Sequence, residues 1–396
     1  MWLLAAVAYA GPIFLEASEP IRMDADGNWP RLFSDGAGGW HLLFATQGEY
    51  NYQHLDGSFQ RGNEGYRPLT GSTVLRDHGV SVCPDGTYLD AATAGLEHDN
   101  DTLYLYRYSA DFQIIDRTTV YERSNAARVF ADVPSVCGNS FRGVAWFMPW
   151  DSVNAMYLPI NADMSFGEEV ALRGAPSAMG SSLLEDDGTL RVTGFEPAGG
   201  KELVSITYDM ELSGLREHRN EVVPVGWSPY WAQASMRVGD TLIVAYMAQD
   251  DRYDWAAQAG DLWVAAFDRE GNMVDHLQLS QNTAPKGGMH PGLARVDDLL
   301  VVSYALEVEP FAFELRLDLE AAGWEAGGDS GEADGDTGEA GDDTGEAYTS
   351  VGQASEDDQA SCGCNSGTGL GGSGAAALLA LLAARGRRAE PRGTRT

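Results

Sequence analysis

Lysine is almost missing from this chain. Lys201 and Lys286 are the only two, and the basic residues together number 26 against 59 Asp and Glu, a net charge of −33. Such a balance excludes nucleic acid as a partner, because phosphate binding needs a basic face. Cysteine is scarce as well, with four in all. No Cys/His spacing matches a zinc site, so neither a metal nor a cofactor is expected. No apolar run reaches the ~20 residues that span a bilayer comfortably, and no helical periodicity of any length occurs before residue 374. A Ser/His/Asp nucleophile motif and a phosphate-cradling glycine loop are both absent.

What the chain has is a repeat. From Tyr230 to Met236 an apolar run meets the Gly239-Asp240 turn, Thr241 to Met247 returns as an alternating strand, Asp261 to Asp268 forms a third, and Glu270-Gly271 turns it into a fourth, Asn272 to Gln278. Hairpins in the same register occur at Asp35-Gly36, Asp85-Gly86, Gly138-Asn139, Asp187-Gly188 and Asp297-Asp298. A turn-to-turn spacing of about 50 residues is that of four strands per blade. Six copies predict an all-β fold, a six-bladed β-propeller of four-stranded antiparallel blades, over residues 11–325.

The last copy has a poor fourth strand at Gly323-Trp324-Glu325, whereas Ile13 to Met23 reads as a fourth strand without a blade. The N-terminal segment is therefore expected to complete the sixth blade and protect its edge; a free N-terminal arm is the alternative. Residues 1–10, apolar and ending Ala8-Tyr9-Ala10, read as a signal peptide, truncated if the start is placed too late, or as a first strand. Residues 326–361 carry 11 acids and no Lys or Arg. They read as a disordered, Gly-rich stalk that cannot bury enough apolar area to offset its ordering entropy.

In the tail 362–396, Cys362-Gly363-Cys364 is followed by a Gly-rich spacer, an apolar helix-forming run from Ala375 to Ala384, and Arg385-Gly386-Arg387-Arg388. This order resembles the MYXO-CTERM class of C-terminal sorting signals. The resemblance implies recognition by export and sorting machinery, processing or lipidation at Cys362 or Cys364, and display at the cell surface after at least transient membrane anchoring. An ordinary C-terminal membrane anchor is the other reading, and it too places the main domain outside. Cys83 and Cys137 occupy matching points of adjacent copies, and a disulfide between them is permitted in an exported protein. Neighbouring inner strands can also leave such a pair beyond the ~7 Å reach of a bond.

In a propeller the connections from second to third strand and from blade to blade gather on one face. There the sequence places Asp251, Tyr253, Asp254 and Trp255 in its longest loop, joined by Trp29, Trp150, Trp231 and His290. Flat rings beside carboxylates suit the stacking and hydrogen bonding of a sugar. The expected function is noncatalytic binding of an extracellular glycan or protein. The alternative is a secreted glycoside hydrolase using two carboxylates across the mouth, with Asp132 and Glu196 as candidates; a third possibility is an envelope protein with no specific site. The repeated Arg237 and Arg295, at the short turns, read as architecture.

Overall fold

The computed structural model describes residues 12–46, 49–62, 65–69, 75–94, 102–121, 133–146, 154–175, 182–195, 201–251, 260–281, 288–306 and 309–324. At 75–78, 94, 121, 154, 230–233 and 288–289 this description is of the backbone only. All of it lies in the first of two units, Met1–Glu325 and Ala326–Thr396. Among the described residues there is no helix, and strands run almost end to end.

After two N-terminal strands, β1 (Phe14–Ala17) and β2 (Ile21–Arg22), the chain forms blade after blade. The first is β3 (Asn28–Ser34), β4 (Trp40–Thr46), β5 (Glu49–Leu55) and β6 (Arg67–Pro68). The second is β7 (Leu75–Val82), β8 (Tyr88–Ala94), β9 (Thr102–Tyr108) and β10 (Ile114–Tyr121). The third is β11 (Ser135–Cys137), β12 (Arg142–Trp146), β13 (Asn154–Pro159) and β14 (Val170–Arg173). The fourth is β15 (Ser182–Asp186), β16 (Thr189–Phe195), β17 (Glu202–Tyr208) and β18 (Gly214–Glu221). The fifth is β19 (Trp227–Val238), β20 (Thr241–Asp250), β21 (Gly260–Phe267) and β22 (Met273–Gln278). The sixth has β23 (Gly288–Val296), β24 (Leu299–Leu306) and β25 (Glu309–Leu317).

The sixth blade takes its outer strand from the other end of the chain. Both β1 and β2 pair antiparallel with β25, Phe14 opposite Leu317 and Ile21 opposite Ala312. Where a fourth strand of the last copy would begin, residues 318–323 turn instead. First strands touch in the order β3, β7, β11, β15, β19, β23 and back to β3, so the six sheets form a closed ring.

Burial follows from this arrangement. Each apolar core lies between blades rather than within one: Leu89 and Leu105 meet Val144 and Trp146 across the second and third, and Ile243 and Val264 meet Val302 and Phe313 across the fifth and sixth. A single blade would leave both faces wet. Inner strands approach closely enough that small residues are required. A Cβ on Gly292 would sit 2.7 Å from Ser303 Oγ and 3.0 Å from the Pro30 carbonyl. The disulfide joins Cys83 and Cys137 at the inner ends of the second and third blades, with their Cα atoms 4.7 Å apart.

The turns between third and fourth strands carry a repeat of their own. In four of them the backbone enters the left-handed region at a large apolar residue: Phe59 (φ 58°), Phe112 (57°), Met164 (62°) and Leu212 (58°). Each donates its N–H to the carbonyl three residues back, on Asp56, Ser109, Asn161 and Asp209 respectively. That conformation costs about 1–2 kcal/mol for a residue with a Cβ. Burying a Phe or Met side chain returns about 1.5–3 kcal/mol. The balance favours a plug: Phe59 and Phe112 are fully buried, stacked on Trp40 (5.7 Å) and Tyr88 (4.1 Å). Phe59, Phe112 and Met164 enter the core their blade shares with the preceding one, and the half-buried Leu212 packs against its own.

Candidate mouth of the propeller

At the long-connection end of four inner strands the hydrogen-bond ladder slips. Trp29 and Pro30 lie between the pairs Asn28 with Ala45 and Arg31 with Leu43, and His290 and Pro291 between Met289 with Ala305 and Gly292 with Ser303. In β7 the slip falls at Arg76, and in β19 at Trp231 and Ala232. The four blades are consecutive in the ring, from the fifth through the sixth and first to the second. Bulges re-aim side chains, and they gather at barrel rims and beside active sites.

Two of these bulges are strained in the same way. Trp29 (φ 54°) and His290 (φ 57°) are both left-handed, and both precede a proline that locks the next residue. Such a conformation costs roughly 1–3 kcal/mol and persists only where the surroundings impose it. The surroundings here are reciprocal. Arg31 Nη1, from the first blade, donates to the carbonyls of Pro291 (2.7 Å) and His290 (3.3 Å) in the sixth. Ser303 Oγ, from the sixth, donates to the carbonyl of Pro30 in the first (3.1 Å). The product is an aromatic pair at the mouth, the Trp29 and His290 rings 4.7 Å apart and tilted by 48°.

His290 is thus brought to the mouth beside Trp29. Trp231 stands at the equivalent bulge of the fifth blade, described by its backbone alone. Asp251 directly follows β20, exposed but engaged: Ser228 Oγ donates to its Oδ1 at 2.6 Å and Lys201 Nζ lies 3.6 Å from its Oδ2. One of the two lysines in the chain is therefore a bracket between the fourth and fifth blades. Asp132, Trp150, Glu196, Tyr253, Asp254 and Trp255 lie outside the described residues, as do Cys362 and Cys364. Sequence reasoning missed Arg31, whose signal is only its place after Trp-Pro.

The opposite face is chemically busy but committed to structure. Arg67 reaches over the Tyr52 ring (4.7 Å) and donates to the carbonyls of Asp111 and Phe112. Arg237 donates to the Gly239 carbonyl (2.9 Å), and Arg295 lies 3.9 Å over the Trp324 ring. His54 bonds Asp35 at 2.8 Å, and His41 Nδ1 bonds the Tyr52 hydroxyl at 2.8 Å. Burial pushes the Asp35 carboxyl up, but the His54 bond and the N–H groups of Ala37 and Gly39 prevail and hold its pKa down at about 2. A carboxyl so acidic is no general acid, and it braces a turn. Among the described residues no three His, Cys, Asp or Glu side chains are grouped to hold a metal ion, and no helix is long and apolar enough to cross a membrane.

No protein-family model matches the chain, and no curated protein matches it either. Solved structures do. A protein of unknown function from Dyadobacter fermentans aligns with a TM-score of 0.54 at 11% identity, over 76% of this chain and 99% of that one. A streptogramin B lyase (TM-score 0.43, 13% identity) aligns over 77% of this chain and 100% of its own. A subtype N10 neuraminidase-like protein of A/little yellow-shouldered bat/Guatemala (0.46, 10%) also covers 77% of this chain and 100% of its own. The likeness is one of fold.

Proposed function

We propose that this protein is exported, displayed at the cell surface by its sorting tail, and binds an extracellular glycan or protein at the long-connection mouth without catalysing a reaction. What carries the reading is the pair of strained bulges that present Trp29 and His290 together. Two residues held left-handed before prolines, each clamped by the other's blade, represent a sustained cost that packing alone does not require. A tilted pair of flat rings offers a stacking surface for a sugar ring or an aromatic side chain.

The test is a glycan array and a panel of surface proteins, probed with the full chain and with Trp29→Ala and His290→Ala. Each substitution is expected to weaken binding about tenfold, the equivalent of one lost stacking contact. Asp187→Asn, on the opposite face, is expected to leave it unchanged. Binding that ignores both mouth substitutions sinks the proposal. Release of a hydrolysed product, lost in both Asp132→Asn and Glu196→Gln, would replace it with the hydrolase reading.

A further inference from the structure

Of the five turns that join a third strand to a fourth, one lacks its plug. In the fifth blade the left-handed position of the third turn is Gly271 (φ 84°) rather than a Phe, Met or Leu. A Cβ there would run into the His218 ring, which comes across from β18 of the fourth blade and occupies the vacancy. Asn220 Nδ2 donates to the Gly271 carbonyl at 2.9 Å and ties the turn to that strand. His218 Nε2 is buried with no hydrogen-bond partner among the described residues. Beside it is a cavity of ≈ 10 Å³, bounded by Arg191, Ser205 and Asn220 as well as apolar side chains. That is room for about one water, the natural partner of an orphaned ring nitrogen.

Arg191 lines the same cavity as this ring. Its partner Asp186, at 2.7 Å, is shared with Arg237 at 3.4 Å, and Arg237 reaches on to Asp240 at 3.8 Å. Of the other charged groups near His218, Arg216 and Asp268 oppose each other, and the Asp268 carboxylate already accepts from the Asn272 N–H at 2.7 Å. Glu217 is paired with Arg219, and Arg269 with Asp187 and Asp240. Burial, then Arg191 and Arg216, lower the pKa of His218.

A second histidine shares the seam. His276 Nε2 lies 2.6 Å from the Tyr246 hydroxyl, which donates to the Val222 carbonyl at 2.9 Å. With the single hydroxyl proton committed there, Nε2 must carry the proton of the neutral imidazole. Burial lowers the pKa of His276, against the opposing charge of Asp275.

We propose that the seam between the fourth and fifth blades is an acid-sensitive joint of the ring, which loosens when His218 is protonated. A seam that depresses the pKa of a histidine favours its neutral form. The stability it contributes is intact above the unfolded-state pKa of ~6.5 and is lost as pH falls below it. Protonation would set an imidazolium beside the Arg191 guanidinium, its buried Nε2 without a protein acceptor among the described residues, in a gap without an apolar plug.

Amide hydrogen exchange of the full chain, corrected for intrinsic rates, reads this directly at pH 7.5 and 5.5. Protection of β18 and of the 268–272 turn is expected to fall roughly threefold or more at the lower pH, while that of the disulfide-linked second and third blades holds. In His218→Gln the local loss is expected to vanish, and in His276→Gln to remain. Unchanged protection of β18 in the natural chain, or an equal loss in His218→Gln, overturns the proposal. His218→Ala combined with Gly271→Leu, which restores the plug, is expected to melt higher than the natural chain at pH 5.5. Should the variants not fold, the ring resonance of His218 in the natural chain decides, and a titration at or above ~6.5 refutes the proposal.

Discussion

Phe112 touches Phe33 and Tyr52 of the first blade and Tyr88 and Tyr108 of the second from a backbone conformation that glycine would adopt more easily. Two local rules conflict at this one residue, and burial decides. Phe112→Ala is expected to cost about 3–5 kcal/mol in chemical denaturation. Phe112→Gly is expected to cost nearly as much, because the relief of about 1–2 kcal/mol in the backbone is smaller than the packing lost. A Gly variant as stable as the natural chain would mean the plug is decoration. These plugs were hidden in the sequence for the same reason. A positive φ is ordinarily signalled by Gly or Asn, and Phe59, Phe112 and Met164 give no such signal.

At the scale of strands and turns the chain was far more legible. Asp35-Gly36, Asp85-Gly86 and Asp187-Gly188 mark hairpins because their glycines supply a left-handed φ without steric cost, and the alternating runs beside them have one face to bury. The bulges were not legible. A slip of the ladder at Trp29-Pro30 is decided by Arg31 and Ser303 reaching in from opposite sides of a seam, a contact between residues some 270 positions apart. The disulfide also belongs to this scale, since matching register brought Cys83 and Cys137 within reach. It closes a loop with a sequence separation of 54. By chain entropy Cys83→Ser is expected to cost about 4 kcal/mol. The check is a denaturation midpoint that falls in the variant and, for the natural chain, falls in reductant. No difference between oxidised and reduced chains would mean that the neighbouring blades alone hold that seam.

The whole molecule depends on an exchange between its ends. Removing residues 12–18 would strip β1 from β25 and bare the edge of the sixth blade, together with the buried contacts of Ile13 and Phe14. The shortened chain is expected to melt at lower temperature and to self-associate through that edge, visible as a mass increase in light scattering. A monomer of unchanged melting temperature would show that β1 is dispensable. The ring as a whole could be read from the regular spacing of its copies, and its closure from one weak strand and one spare. The occupant of the mouth could not, because spacing reports on blades and is silent about the loops between them.

That exchange also sets a timetable. Phe14 is translated 303 residues before its partner Leu317, which at about 5–20 residues per second is an interval of roughly 15–60 s. Throughout that interval the earliest strand has no sheet to join, so the last blade can be completed only after synthesis has passed Leu317. A ribosome that stalls short of this point releases an array with one raw margin, and that product would need a chaperone more than the finished ring does.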